Sequence, residues 1–261
     1  MLLLKENKNL NVIIMRKNLI RIFIGLGVVL IALLLISGWY MFKVNTLLKT
    51  MTPLETKQVI NNIYSVNNSF VNLYLLKDSS QYIAVDAGND IETVSTEMAK
   101  LNIDPNKVKA VLLTHSDSDH AAALKLFKNA KVYLSYPEEK LINGEENRFF
   151  LFGNKIDTED YILLKDQEEL QIGNFHIKCF LNSGHTPGSM SYVVNDKYLF
   201  IGDALSLKEG LVQEFIHFFN MDSEKAKESI NLLSHISGVE YIFTAHFGFS
   251  DDYKTAFKNW K

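Results

Sequence analysis

Six consecutive residues, His115-Ser116-Asp117-Ser118-Asp119-His120, place four side chains able to bind a metal ion directly behind an apolar run from Val108 to Leu113. No other feature constrains the chain as much. The apolar run suits a buried strand, and a strand end opening into a loop lets neighbouring side chains reach one cavity. A turn into a helix beginning near Ala121 can bring Asp119 and His120 round to the same side. Cys179 is the single cysteine, which excludes an intramolecular disulfide and a multi-thiolate site. Any metal must therefore be held by histidines and carboxylates. Further candidates stand at other strand ends: His185 in Gly184-His185-Thr186-Pro187-Gly188-Ser189, Asp203 after Gly202, and His246 after Ala245. The 184–189 segment lacks the lysine and glycine spacing of a phosphate loop and reads as a tight metal-presenting turn.

Upstream, Ile22 to Phe42 carries no charge and matches the ~20 residues a helix needs to cross a bilayer. Trp39 and Tyr40 lie at its end, where amphipathic rings favour the headgroup layer. Lys5, Lys8, Arg16, Lys17 and Arg21 precede it against Glu6 alone, a bias that keeps the N-terminus cytoplasmic. This predicts a cytoplasmic segment over 1–21, a transmembrane anchor over 22–42, a linker over 43–56 and an extracytoplasmic domain over 57–261. The competing reading is a cleaved secretory signal beginning near Met15. Against it, the apolar segment exceeds the ~7–15 residues of a signal core. The net charge of −3 and the lack of a Lys/Arg run interleaved with aromatics give a polyanion-binding surface no support. The expected partners are the membrane and a small-molecule substrate, and no nucleic acid.

Beyond the linker, β-branched and aromatic residues predict strands at Val59–Val66, Phe70–Leu76 and Tyr82–Val85, with Asp86-Ala87-Gly88 ending the third. Helical spacing follows over Ile91–Leu101, broken by Asp104-Pro105-Asn106. Later strands are expected near Val132–Ser135, Phe175–Leu181, Ser191–Val194, Tyr198–Ile201 and Tyr241–Thr244, with a helix from Ser223 to about Ser234. Strands mixed with helices in both halves suggest an α/β sandwich.

The ordered set Asp86-Ala87-Gly88, Thr114-His115 through His120, Gly184-His185, Gly202-Asp203 and His246 resembles the motifs of the metallo-β-lactamase superfamily, over roughly Val59 to the C-terminus. The resemblance implies an αββα sandwich preceded by one transmembrane helix, with a glyoxalase II-like metal site. Carried over by position, His115, Asp117 and His185 would hold a first metal. Asp119, His120 and His246 would hold a second, Asp203 would bridge both, and Asp86 would support the ligands from outside. The implied cofactors are two divalent ions, zinc foremost, with iron or manganese as alternatives. The implied activity is hydrolysis of an ester, thioester, lactone or similar bond by a metal-bridging hydroxide, with Asp119 also orienting that hydroxide as a catalytic residue.

The superfamily usually has a histidine where this chain has Asp117. Three carboxylates plus a hydroxide would balance two divalent ions, which predicts a weaker Lewis acid and a preference for harder metals. Superfamily members with a carboxylate in this position include di-iron flavoproteins, so a di-iron redox protein is one alternative. A non-catalytic metal-binding surface protein is another, although the ligand set exceeds the four of a closed structural site. Asp203 holds the bridging position and Cys179 is mid-strand, so the cysteine ligand of one major β-lactamase class is missing and antibiotic hydrolysis is not expected. Two aromatic stretches, 148–152 and 215–219, read either as lids for an apolar acyl substrate or as core filling; in the second case Phe218→Ala or Phe149→Ala would cost ~3–5 kcal/mol. His176, His217 and His235 read as structural, Cys179 as a small buried hydrophobe, and the Glu138-Glu139 and Glu145-Glu146 pairs as solvated surface.

Overall fold

The computed structural model describes residues 2–148 and 152–260, with side chains from Met15 onward. It comprises two compact units, Met1–Thr50 and Met51–Lys261. The first is a single helix, α1 (Leu2–Leu48), of which Met15–Leu48 is long and apolar enough to cross a membrane. The helix continues past the predicted span because nothing in Lys43–Leu48 breaks it: the stretch holds neither Gly nor Pro, and Pro53 comes later. The second unit begins earlier than residue 57. Thr52 N donates to the His246 carbonyl, Leu54 N donates to Asn72 Oδ1, and the Leu54 side chain packs on the core.

The second unit opens with a seven-stranded sheet in chain order. Its strands are β1 (Lys57–Ile60), β2 (Ile63–Asn68), β3 (Val71–Asp78), β4 (Gln81–Val85), β5 (Val108–Leu112), β6 (Lys131–Ser135) and β7 (Tyr161–Leu164). The first four pair antiparallel, and β4 to β7 pair parallel. Helix α2 (Ile91–Lys100) connects β4 to β5; its cap, Asp90, accepts from Thr93 N and satisfies a donor that has no partner within the helix. The single turns α3 (Ser118–Ala121) and α4 (Glu139–Ile142) follow β5 and β6.

The other large sheet is formed by β8 (Glu169–Ile172), β9 (Phe175–Leu181), β10 (Met190–Val194), β11 (Tyr198–Phe200), β14 (Tyr241–Phe243) and β15 (Phe249–Ser250). A hairpin of β12 (Leu205–Lys208) and β13 (Leu211–Glu214), then α5 (Ser223–Leu233), lie between β11 and β14, while α6 (Tyr253–Ala256) comes after β15.

Side-chain alternation makes this a four-layer sandwich. On β3, Tyr74 and Leu76 face the second sheet's Cys179, Tyr192, Phe200 and Phe243, while Leu73 and Leu75 face Val94 and Met98 of α2. On the far face of the second sheet, Val193, Leu199 and Ile242 pack on Ile230 and Leu233 of α5. Sheets covered on both faces need apolar residues at successive positions, which is why β3 and β10 are buried almost throughout. The layers are helix, sheet, sheet, helix.

Candidate metal centre

The ligand-bearing loops leave the C-terminal ends of β4, β5, β9, β11 and β14, which the parallel pairs β4–β5 and β11–β14 bring out at one edge of the sandwich. Hydrogen bonds hold the loops together. Asp86, at φ 64° after β4, accepts from Thr114 N at 2.7 Å and from Thr114 Oγ1 at 3.0 Å, tying the β4 loop to the β5 loop. The buried side chain of Glu138 accepts from Ser116 N and Oγ at 2.8 and 2.7 Å, and from Thr186 Oγ1 and Gly188 N at 2.6 and 3.2 Å. Glu138 thus joins the loop bearing Asp117 to the loop bearing His185. The solvated-surface reading fails for this residue, because four donors supply in the interior what water supplies outside.

Three groups of ligand atoms each lie within 4.8 Å of one another: His115, Asp117 and His185; Asp119, His120 and His246; and His115, His120 and Asp203. The sequence-derived sets are therefore brought together with Asp203 between them. Asp203 Oδ2 is 3.5 Å from His185 Nε2, and its Oδ1 is 3.1 Å from His246 Nε2 and 3.4 Å from His120 Nε2. Asp119 Oδ2 approaches His246 Nε2 at 3.4 Å and His120 Nε2 at 3.6 Å.

Each histidine offers Nε2 to the centre because its Nδ1 is committed elsewhere. The partners are Thr114 Oγ1 for His115 at 3.0 Å, Asp86 Oδ2 for His120 at 2.8 Å, Asn220 Oδ1 for His185 at 3.3 Å, and the Phe70 carbonyl for His246 at 2.7 Å. A proton on Nδ1 leaves the Nε2 lone pair as the ligand. Four buried atoms, His115 Nε2, His120 Nε2, His246 Nε2 and Asp203 Oδ1, have no hydrogen-bond partner among the described residues. The Asp203 approaches are close enough for attraction but are not aligned for a hydrogen bond. Stranding a buried polar atom costs about 1–3 kcal/mol, and four converging on one spot fit a divalent cation.

The charges reinforce one another. Burial favours the neutral form of Asp117, but His115, His185 and Arg148 outweigh it and hold the carboxyl well below its usual range. Asp203 is likewise held well below its usual value, burial being overcome by His246, His120 and His185. For His120, burial is outweighed by Asp119, Asp203 and Asp86, so its pKa is well raised; His246 is also raised, mainly by Asp203 against burial. For His185 burial wins over Asp203 and Asp117, and the imidazole is lowered.

Two contributors were not singled out from the sequence. Arg148 grips Asp117 two-pronged, Nε lying 2.8 Å from Oδ1 and Nη2 2.8 Å from Oδ2, and Asn154 Nδ2 adds a bond to Oδ1 at 2.7 Å. The signal was there: Arg148 is the one charge heading an aromatic run, and an aspartate in a histidine position calls for a cation. The expectation of a charge-balanced centre therefore needs correcting, since Arg148 adds one positive charge beside the three carboxylates. Of the aromatic stretches, Phe149, Phe150 and Leu151 lie outside the described residues, and Phe152 is exposed. Phe215 is buried with its ring edge-on to His185 at 5.2 Å and 5.9 Å from His246; Phe218 and Phe219 are half-buried, with their rings edge-on to each other at 5.4 Å. His176 and His217 pair with Glu169 and Glu214, and His235 Nδ1 meets the Asn231 carbonyl, all away from the centre. A cavity of about 730 Å³ between β9, β10 and the end of α5 contains none of the ligands, so chemistry rather than size marks the site.

The metallo-beta-lactamase superfamily profile matches residues 66–246. The chain belongs to this superfamily. A probable metallo-hydrolase of Methanocaldococcus jannaschii is 30% identical over 168 residues, 64% of this chain and 71% of that protein. A probable polyketide biosynthesis zinc-dependent hydrolase of Bacillus velezensis is 31% identical over 137 residues, and a hydroxyacylglutathione hydrolase of Glaesserella parasuis 27% over 133 residues. Each of these two matches covers 51% of this chain, and 54% and 49% of the respective relative, so the chain spans about half of their length. Among solved structures, a B3 metallo-beta-lactamase with an active-site glutamic acid superposes with a TM-score of 0.62 at 19% identity, covering 80% of this chain and 87% of that one. A Thermus thermophilus family protein gives 0.60 at 20% identity, covering 77% and 78%. These structures share the fold. At the family level this superfamily member is a metallo-hydrolase that binds divalent metal.

Proposed function

We propose that this superfamily member is a binuclear metallo-hydrolase that cleaves an ester, thioester, lactone or similar bond in a small, partly apolar molecule. The observation that carries the reading is the pair of ligand triads flanking Asp203, with four buried ligand atoms left for metal to satisfy. Two divalent ions held there supply activated water at neutral pH and polarise the oxygen of a bound carbonyl or phosphoryl group. The chain's own residues do the rest. The committed Nδ1 atoms fix four imidazole rings in orientation, and Asp203 sets the spacing of the two positions. Asp119 is the most exposed ligand, its side chain 21% accessible, so its carboxylate can orient the attacking water and take its proton. The Phe70 ring stacks on His246 at 5.9 Å and the buried Phe215 ring stands edge-on to His185, so the histidines are backed by an apolar wall. That wall favours an acyl substituent and excludes bulk water.

The helix is read as a retained single-pass anchor with its basic N-terminal flank in the cytoplasm, placing the catalytic unit outside the cytoplasm with no nucleic-acid partner. The test uses the full chain in detergent, purified without added metal, analysed for elemental content and assayed against thioester, lactone, ester and phosphodiester panels. Two ions per chain, lost together with activity in Asp203→Ala, are expected. A folded chain that binds no metal and turns over none of the panels would overturn the reading.

A further inference from the structure

The two metal positions are not alike. Around Asp119, His120 and His246 the histidine Nε2 atoms have no hydrogen-bond partner among the described residues, and neither does Asp203 Oδ1. Around His115, Asp117 and His185 two of the three ligands are already engaged, and by the same group. Arg148 Nη2 lies 2.8 Å from Asp117 Oδ2 and 3.2 Å from His185 Nε2, and donates to the Phe219 carbonyl at 2.8 Å. Arg148 Nε meets Asp117 Oδ1 at 2.8 Å and Oδ2 at 3.1 Å. The guanidinium is buried, with 2% of its side chain accessible. A buried cation on the ligand atoms that a metal would use does part of what that metal would do.

We propose that Arg148 is a resident cation at the first metal position, so that the Asp119–His120–His246–Asp203 position takes metal first and tightly, and the His115–Asp117–His185 position fills only as Arg148 Nη2 gives way. This rests on the metallo-hydrolase reading and adds an order of loading to it. Three physical points support it. Metal and guanidinium compete for the same Oδ2 and Nε2 lone pairs, and like charges at this range repel. Arg148 retains a second hold on Asp117 through Nε and Oδ1, so Nη2 can yield without the pair separating. Asn154 Nδ2 also bonds Oδ1, at 2.7 Å, keeping Oδ2 as the oxygen turned toward His185 and His115. Because Nη2 also bonds the Phe219 carbonyl, filling the first position disturbs the aromatic turn His217–Phe219.

The experiment is a Co(II) binding isotherm on the metal-stripped full chain in detergent, read by visible absorption and by competition with a chelator. Wild type is expected to bind two ions in two steps separated by at least about ten-fold in affinity, a gap in the range that groups contacting metal ligands commonly produce. Arg148→Met is expected to tighten the weaker step and narrow the gap, while Arg148→Lys, which keeps the charge without the fork, keeps most of it. His246→Ala should remove the tight step and His185→Ala the weak one. The double variant Asp117→His with Arg148→Met removes both members of the pair, leaves no unpaired buried carboxylate if Arg148→Met alone fails to fold, and should also bind its two ions with similar affinity. Two steps of equal affinity in wild type, or a weaker step that loosens in Arg148→Met, would overturn the inference while leaving the metallo-hydrolase reading intact. A chain that binds no cobalt would overturn both.

Discussion

Glu138 shows how much the centre depends on a side chain that touches none of it. Its carboxylate accepts four hydrogen bonds, two from Ser116 and one each from Thr186 and Gly188, in a setting with no solvent exposure. Glu138→Ala strands those donors together, and at about 1–3 kcal/mol for each buried donor left unpaired a loss of at least about 2 kcal/mol is expected. Glu138→Gln keeps an acceptor but turns an N–H toward one donor pair, so a smaller loss is expected. Urea unfolding midpoints measure both, and a Glu138→Ala midpoint equal to wild type would remove Glu138 from this role. At this scale the clustering of these histidines and aspartates was legible in the sequence, because few other arrangements explain His-x-Asp-x-Asp-His behind an apolar strand. Glu138 was not, and Arg148 stood out only as a charge heading an aromatic run, with nothing to place it against Asp117. Their roles arise from partners 22 and 31 residues away in the chain, and one residue's chemistry says nothing about where a distant donor will fall.

Among the elements, the buried strands were legible and the edges were not. Runs such as Val108–Leu112 and Met190–Val194 are largely apolar because both faces are covered, whereas β8 exposes alternate residues, Glu169 among them, and β7, though apolar, is a four-residue edge strand with few positions to show a pattern. Val59–Val66 reads as one strand but divides into β1 and β2, because Asn61 takes a left-handed φ of 43° between them. The β12–β13 hairpin turns on Glu209 and Gly210, both with positive φ, as a two-residue turn requires. The turn just before it is more demanding. Gly202 has φ 53°, and a Cβ there would sit 2.4 Å from Thr114 Oγ1, the hydroxyl that holds Asp86 and His115. Gly210 has φ 76°, and a Cβ there would meet nothing within 4 Å. Gly210→Ala should therefore cost only the left-handed strain of about 1–2 kcal/mol. Gly202→Ala should cost at least about 1 kcal/mol more, as overpacking adds to the same strain, and should lower metal content by shifting Asp203. Equal unfolding midpoints for the two variants would show that the Thr114 contact yields freely.

For the whole molecule, the protonation of the centre links stability, metal and pH. Folded His120 and His246 have pKa values raised above the unfolded value of about 6.5. In metal-stripped protein their contribution to stability is fully present below about pH 6.5 and is lost as pH rises through the raised values. His185 is lowered and acts in the opposite sense, with stability lost as pH falls below about 6.5. Asp117 and Asp203 are depressed, so their contribution is present above about pH 4 and lost as pH falls through their folded values. On the proposed reading metal would reverse the alkaline limb, because it would take the Nε2 lone pairs of His120 and His246 and would have to expel the protons that these atoms carry. The rise in Tm on adding zinc should therefore grow from about pH 6 to about pH 8. Calorimetric heats of zinc binding should differ among buffers of different ionisation enthalpy, as proton release demands. A zinc-induced Tm shift that stays constant over this range, with buffer-independent heats, would mean that the histidines are already neutral before metal arrives. The opposed charges of Asp203 and its neighbours His120 and His246 would then not be what holds the metal-stripped centre together.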